Sequence, residues 1–178
     1  MLVIYLLIVK DYKLISIKEI NSKSSLKAFD CGVSVLNEFL SRYAIKNDLL
    51  GIGKTFLALT EKNEIAGYFT LATAQIGFNE IPVDYQTKLP KYPIPSLRIA
   101  RLAVNKNAQK KGIGKWLLSQ AFRKIVFISE IVGLKFIIVD AKETSKSFYE
   151  KYGFMKLKKE LCYFIPIETV KKAMVDSK

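Results

Sequence analysis

Apolar and polar residues follow two periods along this chain, one typical of strands and one typical of helices. The helical period is clearest over 112–132 and forms one apolar stripe, which Trp116, Phe122 and Val126 widen: Ile113, Leu117, Ala121, Ile125, Ile128 and Val132. A stripe this wide is expected to pack on a sheet. Strands are predicted on both sides of the helix, at 97–104 and 135–139, so the segment should form a right-handed parallel crossover.

The remaining pattern predicts antiparallel hairpins and shorter helices around that unit. Strands are predicted at 12–17, 54–60 and 65–76, with Gly67 as a possible bulge, and one or two more over 155–166. Helices are predicted after Asp30, which is expected near the N-cap, and at 145–151 and 168–175; residues 21–27 are expected to be loop. Four prolines make 77–96 a long loop with at most a helical turn over 83–89. This order indicates the α/β class, and we expect the loop to border the substrate site.

Length and charge narrow the possibilities. The 178 residues, half of them apolar, are enough for a single domain over 1–178 with a sizeable core. The net charge is +13, and no acidic residue lies between Asp84 and Glu130, where basic residues are frequent. An anionic partner and a lysine-rich solvated surface both explain this charge.

Several kinds of site are excluded. The chain has no histidine, which excludes Ser-His-Asp and Cys-His catalysis and zinc sites that need imidazole. Cys31 and Cys162 cannot form a four-thiolate site, so no metal is expected, and both are expected to be buried spectators. The apolar run 2–9 is too short to span a bilayer and is expected to be a leading strand or a product of start-codon choice. A cytoplasmic location without a membrane partner is the default expectation.

The junction between strand 97–104 and helix 112–132 is a candidate anion site. A helix start leaves backbone N–H groups without intrahelical partners and carries a partial positive charge. Gly112 and Gly114 remove side chains that would keep a phosphate from the backbone, and lysines at 110, 111 and 115 add charge. The spacing matches neither a P-loop nor a dinucleotide fingerprint. The sequence therefore predicts a turn that holds a pyrophosphate.

Two ordered motifs resemble the signatures of the GNAT acetyltransferases. Gln109-x-x-Gly112-x-Gly114 resembles their pantetheine and pyrophosphate loop, and Phe148-Tyr149-x-x-x-Gly153-Phe154 resembles their second signature. Alone, the second motif is equally explained by a helix with a glycine C-cap and core aromatic residues. Together, in these strand and helix contexts, they identify the chain as a member of the superfamily. The resemblance implies the GNAT fold, a mixed central sheet of six to seven strands flanked by about four helices.

Further stretches are similar to the GNAT toxins of bacterial type II toxin–antitoxin systems: 29–32 with 36–40, 66–71, 89–95 and 101–104. The match covers about 13–166 and leaves an apolar extension, 1–11, outside. It implies acetyl transfer from acetyl-CoA to the α-amine of charged tRNA, which blocks translation, a ribbon-helix-helix antitoxin and a homodimer. Ala100 departs from the frequent Gly, Asn105 from the common Asp, and 110–111 from the frequent Gly-Gln.

The resemblance also implies three groups of site residues. Tyr149 is the candidate acid that protonates the CoA sulfur. Acetyl-CoA is expected on Leu102, Ala103, Val104, Gln109, Lys110, Lys111, Gly112, Ile113, Gly114, Lys115 and Phe148. Basic residues outside that loop are candidates for tRNA contact: Arg42, Lys46, Lys54, Lys91, Arg98 and Arg101. A solvated helix face also explains the first two, and pairing with a carboxylate also explains the last.

The residue types allow a mechanism and leave two alternatives open. Backbone N–H groups of 102–104 can polarise the thioester carbonyl, and an α-amine that is partly neutral near pH 7 needs no base beyond water. One alternative is a GNAT enzyme that acetylates a protein or a small-molecule amine. The other is a non-catalytic module that binds CoA or RNA, which the retained Tyr149 and complete glycine loop disfavour.

Overall fold

The computed structural model describes residues 12–20 and 23–175, so the predicted leading strand in 2–9 lies outside the described residues. Seven strands form one sheet in the order β1-β2-β3-β4-β5-β7-β6. The strands are β1 (Tyr12–Ser16), β2 (Lys54–Thr60), β3 (Ile65–Ile76), β4 (Ile94–Val104), β5 (Phe136–Asp140), β6 (Met155–Lys156) and β7 (Cys162–Pro166). β4 and β5 are parallel, whereas β1–β2, β2–β3, β5–β7 and β6–β7 are antiparallel. The predicted mixed sheet is confirmed.

The helices are α1 (Lys23–Ala28), α2 (Ser34–Glu38), α3 (Ala44–Leu49), α4 (Val83–Gln86), α5 (Ile113–Ser129), α6 (Lys146–Lys151) and α7 (Ile167–Val175). A π-helical turn, Phe39–Tyr43, joins α2 and α3 into one continuous helical run. Such turns insert one residue into a helix and often occur at functional sites. No helix within the described ranges is long and apolar enough to cross a membrane.

The described residues divide into two compact units. One contains 73–99 and 122–175, and its core includes buried Phe136 and Phe164. The other contains 12–20, 23–72 and 100–121, and its core includes buried Phe29, Phe39 and Tyr68. A single domain over 1–178 stays a prediction.

Three local predictions are wrong. Residues 23–28, expected mostly as loop, form α1, because Leu26 turns into the core and is fully buried there. Asp30 does not cap α2, which follows Val33; its carboxylate instead accepts the Gly32 N–H at 2.8 Å. β4 begins at Ile94 rather than at residue 97, since Ile94 is buried in the core.

Gly67 lies where β3 passes close to the backbone of β4. The β2–β3 register shifts between Ala58 and Leu59, which confirms the expected irregularity beside Gly67. A Cβ on Gly67 would lie 2.7 Å from the carbonyl oxygen of Ala103 and 2.7 Å from a methyl group of Leu117. Because one of these atoms is backbone, no side chain fits at this position.

Replacing Gly67 with alanine should therefore destabilise the fold. We expect Gly67→Ala to lower the free energy of unfolding by about 1–3 kcal/mol, the usual cost of overpacking. Gly133→Ala is the matched control, because nothing lies within 4 Å of a Cβ there. Thermal unfolding of both variants checks this, and equal Tm values would contradict it.

Candidate active site

β4 is longer than its pairing with β5. The parallel register runs from Ser96 opposite Phe136 to Ile99 opposite Val139, and β4 then continues through residues 100–104. The three predicted cofactor residues of the strand, Leu102, Ala103 and Val104, lie in this continuation. Their backbone therefore runs beyond the last position that β5 pairs.

The predicted anion loop follows directly. A 3₁₀ turn, Lys106–Ala108, is capped by Asn105, whose side chain accepts the Asn107 N–H at 3.1 Å. Lys110 and Gly112 then adopt positive φ values of 62° and 81°, and α5 begins at the next residue. Space is open beside Gly112, where nothing lies within 4 Å of the position that a Cβ would take. The start of α5 thus presents its N–H groups behind a left-handed turn, the shape typical of anion sites.

Side chains of the loop hold its own backbone. The Gln109 amide donates to the carbonyl oxygens of Val104 and Cys31, both at 3.0 Å. Lys111 Nζ donates to the Asn107 carbonyl at 2.8 Å. Ile113 is fully buried in the core, so it can offer a ligand only its backbone. Gln109 therefore ties the loop to the end of β4 and to the backbone at Cys31.

Tyr149 lies on α6 and is buried. Its ring meets those of Phe148 and Phe154 edge-on, with centroids 5.2 Å and 5.5 Å away. Burial raises the pKa of Tyr149 to about 12, so its phenol stays protonated at neutral pH. Phe148 is half-buried and also meets Tyr152, at 5.0 Å between centroids. The expected packing of the aromatic residues is confirmed, and the role of Tyr149 as the acid stays a prediction.

Three of the six tRNA candidates are paired with carboxylates: Arg42 with Glu38 at 3.1 Å, Lys54 with Asp48 at 3.1 Å and Arg98 with Asp140 at 2.6 Å. Arg98 also has a buried Nε without a hydrogen-bond partner in the described part of the chain. These three cations are tied to protein groups before any RNA arrives.

Arg101 has a different partner from the carboxylate that was considered. Its guanidinium lies 3.6 Å from the centroid of the Phe39 ring, at the start of the π-helical turn. Burial lowers the pKa of Arg101, and the ring face offers partial negative charge in compensation. Its side chain is therefore part of the packing between β4 and the helical run.

Besides Arg101, which lies over the Phe39 ring, Lys46 and Lys91 are the candidates for which the described residues supply no ion pair. Lys46 lines a cavity of about 420 Å³ together with Arg42 and Lys27, above apolar residues of α3. Lys91 lines a cavity of about 390 Å³ beside Tyr92 and Phe78, in the unit that holds 73–99. The structure thus brings Arg42 and Lys46 to one cavity and places Lys91 at another.

Sequence reasoning missed the part that Asp30 plays. Its Oδ2 lies 2.8 Å from Lys106 Nζ, and Oδ1 accepts the Asn37 amide at 2.8 Å. The Lys106 ammonium, the Gly32 N–H and the Asn37 amide lower the pKa of Asp30 to about 2. The sequence indicated only a place for Asp30 near a helix N-cap, and no local pattern indicated a partner that lies far along the chain.

Lys54 should contribute to stability rather than to RNA binding. Its Nζ also donates to the Asp48 carbonyl at 2.7 Å, and the Asp48 side chain is only 1% exposed. We expect Lys54→Met to reduce the free energy of unfolding by about 1–3 kcal/mol, because a buried carboxylate loses a charged partner. Lys46→Met should stay within ~0.5 kcal/mol of wild type. Chemical denaturation compares them, and an unchanged midpoint for Lys54→Met would refute this role.

The chain is similar to several known proteins. A curated relative from Mycobacterium tuberculosis (strain ATCC 25618 / H37Rv), a tRNA-acetylating toxin, is 25% identical over 138 residues, which is 77% of this chain and 82% of that protein. The structure of AtaT complexed with acetyl-methionyl-tRNAfMet is similar with a TM-score of 0.81 and 25% identity, over 92% of this chain and 99% of that one.

A further solved structure shares the fold. It is a tyrosine-to-phenylalanine mutant of AtaT bound to the C-terminus of the antitoxin AtaR, with a TM-score of 0.80 and 23% identity over 94% of this chain and 99% of that chain. A family model described as the acetyltransferase (GNAT) domain matches residues 22–167, which is most of the chain. This protein therefore belongs to the GNAT acetyltransferase family.

Proposed function

We propose that this chain is a toxin that transfers acetyl from acetyl-CoA to the α-amine of aminoacyl-tRNA and so blocks translation. The observation that supports acetyl-CoA as the acyl donor is the left-handed turn between the continuation of β4 and the start of α5. Similarity to a tRNA-acetylating toxin over 77% of the chain supports the acceptor. A basic chain with a net charge of +13 suits a polyanionic substrate.

The loop before α5 and the end of β4 would bind different parts of acetyl-CoA. The N–H groups at the start of α5, with Lys110, Lys111 and Lys115, would hold the pyrophosphate, and open space beside Gly112 lets it approach the backbone. Residues 102–104 would pair with pantetheine as an added strand and point N–H groups at the thioester carbonyl. Phe148 is retained as a candidate cofactor contact that the resemblance implies.

Tyr149 can serve the reaction without ionising. A neutral amine attacks the thioester carbon, the C–S bond breaks, and the sulfur must gain a proton while the nitrogen loses one. Transfer from a phenol of pKa about 12 to a thiolate of pKa ~8.5 alone is uphill by about 5 kcal/mol. A hydroxyl that gives its proton to sulfur as it accepts one from nitrogen avoids that cost. The high pKa of Tyr149 then suits a relay and removes the need for a separate base.

The contacts with tRNA and with other partners complete the proposal. Lys46 and Lys91 are the best candidates for phosphate contact, while Arg42, Lys54, Arg98 and Arg101 would have to share their charge with the groups they already contact. We include a ribbon-helix-helix antitoxin, a homodimer and, because charged tRNA is a cytoplasmic substrate, a cytoplasmic location.

Acetyl transfer from radiolabelled acetyl-CoA to total tRNA, charged and uncharged, tests the function. Label should appear on charged tRNA alone, and Tyr149→Phe should lower the rate by about 10²–10⁴-fold, the usual worth of a positioned proton donor. Label on protein or polyamine instead, with none on tRNA, would select the alternative acceptor. Binding of CoA without any transfer would select the non-catalytic module.

The pH profile of the same reaction tests the raised pKa of Tyr149. Because the pKa of Tyr149 is raised to about 12, the phenol is protonated below that value, and activity that depends on it is lost only as the pH rises through about 12. Initial rates from about pH 6 to about pH 9.5, a range that spans the ordinary pKa of an α-amine, should therefore rise with deprotonation of the amine and then level off. A fall on the alkaline side within this range would contradict the assignment.

Charge reversal at Lys46 and at Lys91, the two lysine candidates to which the described residues supply no ion pair, should weaken tRNA binding. Lys46→Glu and Lys91→Glu should each reduce affinity and the salt dependence, by ~0.7–0.9 in the slope of log K against log salt per lost phosphate contact. Lys62→Glu, at an exposed lysine of the β2–β3 turn, is the matched control. Filter binding to aminoacyl-tRNA at salt concentrations from about 50 to about 200 mM checks this. Slopes equal to that of the control would remove these lysines from the interface.

A further inference from the structure

The turn 30–32 is joined to the predicted cofactor loop at both ends of the loop's 3₁₀ turn. At the first end, Lys106 N–H donates to the Asp30 carbonyl at 2.8 Å, and Lys106 Nζ lies 2.8 Å from Asp30 Oδ2. At the other end, the Gln109 amide donates to the Cys31 carbonyl at 3.0 Å. These contacts connect segments that lie far apart in the chain.

The side of the turn that faces α2 is equally well connected. Asp30 Oδ1 accepts both the Gly32 N–H and the Asn37 amide at 2.8 Å. Asn37 in turn accepts the Cys31 N–H at 2.9 Å. Every oxygen of the Asp30 side chain is therefore engaged, and the helix that contains Asn37 fixes its direction.

The backbone at position 32 favours glycine, and the side chain of Lys106 passes close to it. Its φ of 83° is left-handed, and a Cβ there would lie 3.1 Å from Cε of Lys106. The Lys106 side chain thus crosses directly over Gly32 on its way to the Asp30 carboxylate. The path of this side chain is set by the turn and leads to a protein carboxylate.

We propose that Asp30 and Lys106 are positioning residues for acetyl-CoA: together with Asn37 and Gln109 they form a latch that holds residues 105–111 in the shape that binds the pyrophosphate. This inference rests on the proposed role of the loop. A non-glycine residue in the left-handed region, Lys110, is unfavourable unless its surroundings hold it. The latch supplies that restraint before the cofactor arrives, so binding does not have to order the loop.

Lys106 could act in a second way, as a direct ligand of the pyrophosphate, and the two roles predict different effects of its charge. Lys106 lies in the same basic run as Lys110 and Lys111, and a simple electrostatic view makes it a phosphate ligand. In that view Asp30 competes with the phosphate, and Asp30→Asn would tighten acetyl-CoA binding. In the latch, Asp30→Asn removes the restraint and weakens binding. The same variant thus gives opposite results for the two roles.

Titration calorimetry with acetyl-CoA on the full chain tests the latch. Asp30→Asn and Lys106→Met should each raise Kd roughly three- to tenfold, as expected for a charge-assisted contact that is half exposed. The double variant should be no weaker than the weaker single variant, because both remove the same contact. Glu130→Gln, which breaks the Lys171–Glu130 pair of the other unit, is the matched control and should bind as wild type does.

Steady-state kinetics add a measurement that lost stability would not reproduce. The latch variants should raise KM for acetyl-CoA while kcat and KM for aminoacyl-tRNA stay within about twofold, and Lys106→Arg should recover part of the affinity. An unchanged or lower Kd for Asp30→Asn overturns the latch, as does a lower Tm with normal affinity in the folded fraction. Lys110→Glu tests the loop itself: if it binds acetyl-CoA normally, the loop assignment fails, whatever the latch variants do.

Discussion

The end of the β4–β5 pairing at Ile99 is the constraint on which the rest depends. Where a strand continues beyond its parallel neighbour, that neighbour no longer pairs its backbone N–H and C=O groups. The strand stays extended there only if other contacts hold it. Here the opposite edge does so: Gly67 admits β3 to within contact of Ala103, and the Asn105 N–H donates to the Ala66 carbonyl at 2.8 Å. The continuation of β4 is thus held along the edge that faces β3, and its role as the strand that binds pantetheine stays a proposal.

The net positive charge overstates how many cations are available to bind an anionic partner. Asp30, Asp48 and Asp140 each take up lysine or arginine side chains, and Asp48 alone lies near two, at 3.1 Å and 3.4 Å. Such pairs position the cations and reduce their field at a distance. A search for RNA contacts from charge alone therefore overestimates the interface. Lysines without an ion pair are better candidates for such contacts than the net charge suggests.

The sequence predicted what depends on local pattern. β2 and β3 have the predicted bounds, since their apolar alternation is bracketed by a polar turn, and the two ordered motifs led to the family that the comparisons confirm. It could not predict α1, whose single buried leucine leaves no period, or the tie between Asp30 and Lys106, which only folding brings together. Nor did it predict that Arg101 stacks on Phe39. The roles of Tyr149 and of the loop stay predictions.

Both native thiols are shielded, which makes the chain suitable for site-specific labelling. Cys31 and Cys162 are buried and free. Burial and, to a smaller extent, a hydrogen bond to Asp140 raise the pKa of Cys162 to about 11. Thiolate is the species that reacts with maleimides, so a cysteine introduced on the surface can carry a fluorophore without removal of either native one. Cys31 has a second use, because its carbonyl accepts the Gln109 bond: the rate at which a reagent reaches its sulfur would report how often that turn opens.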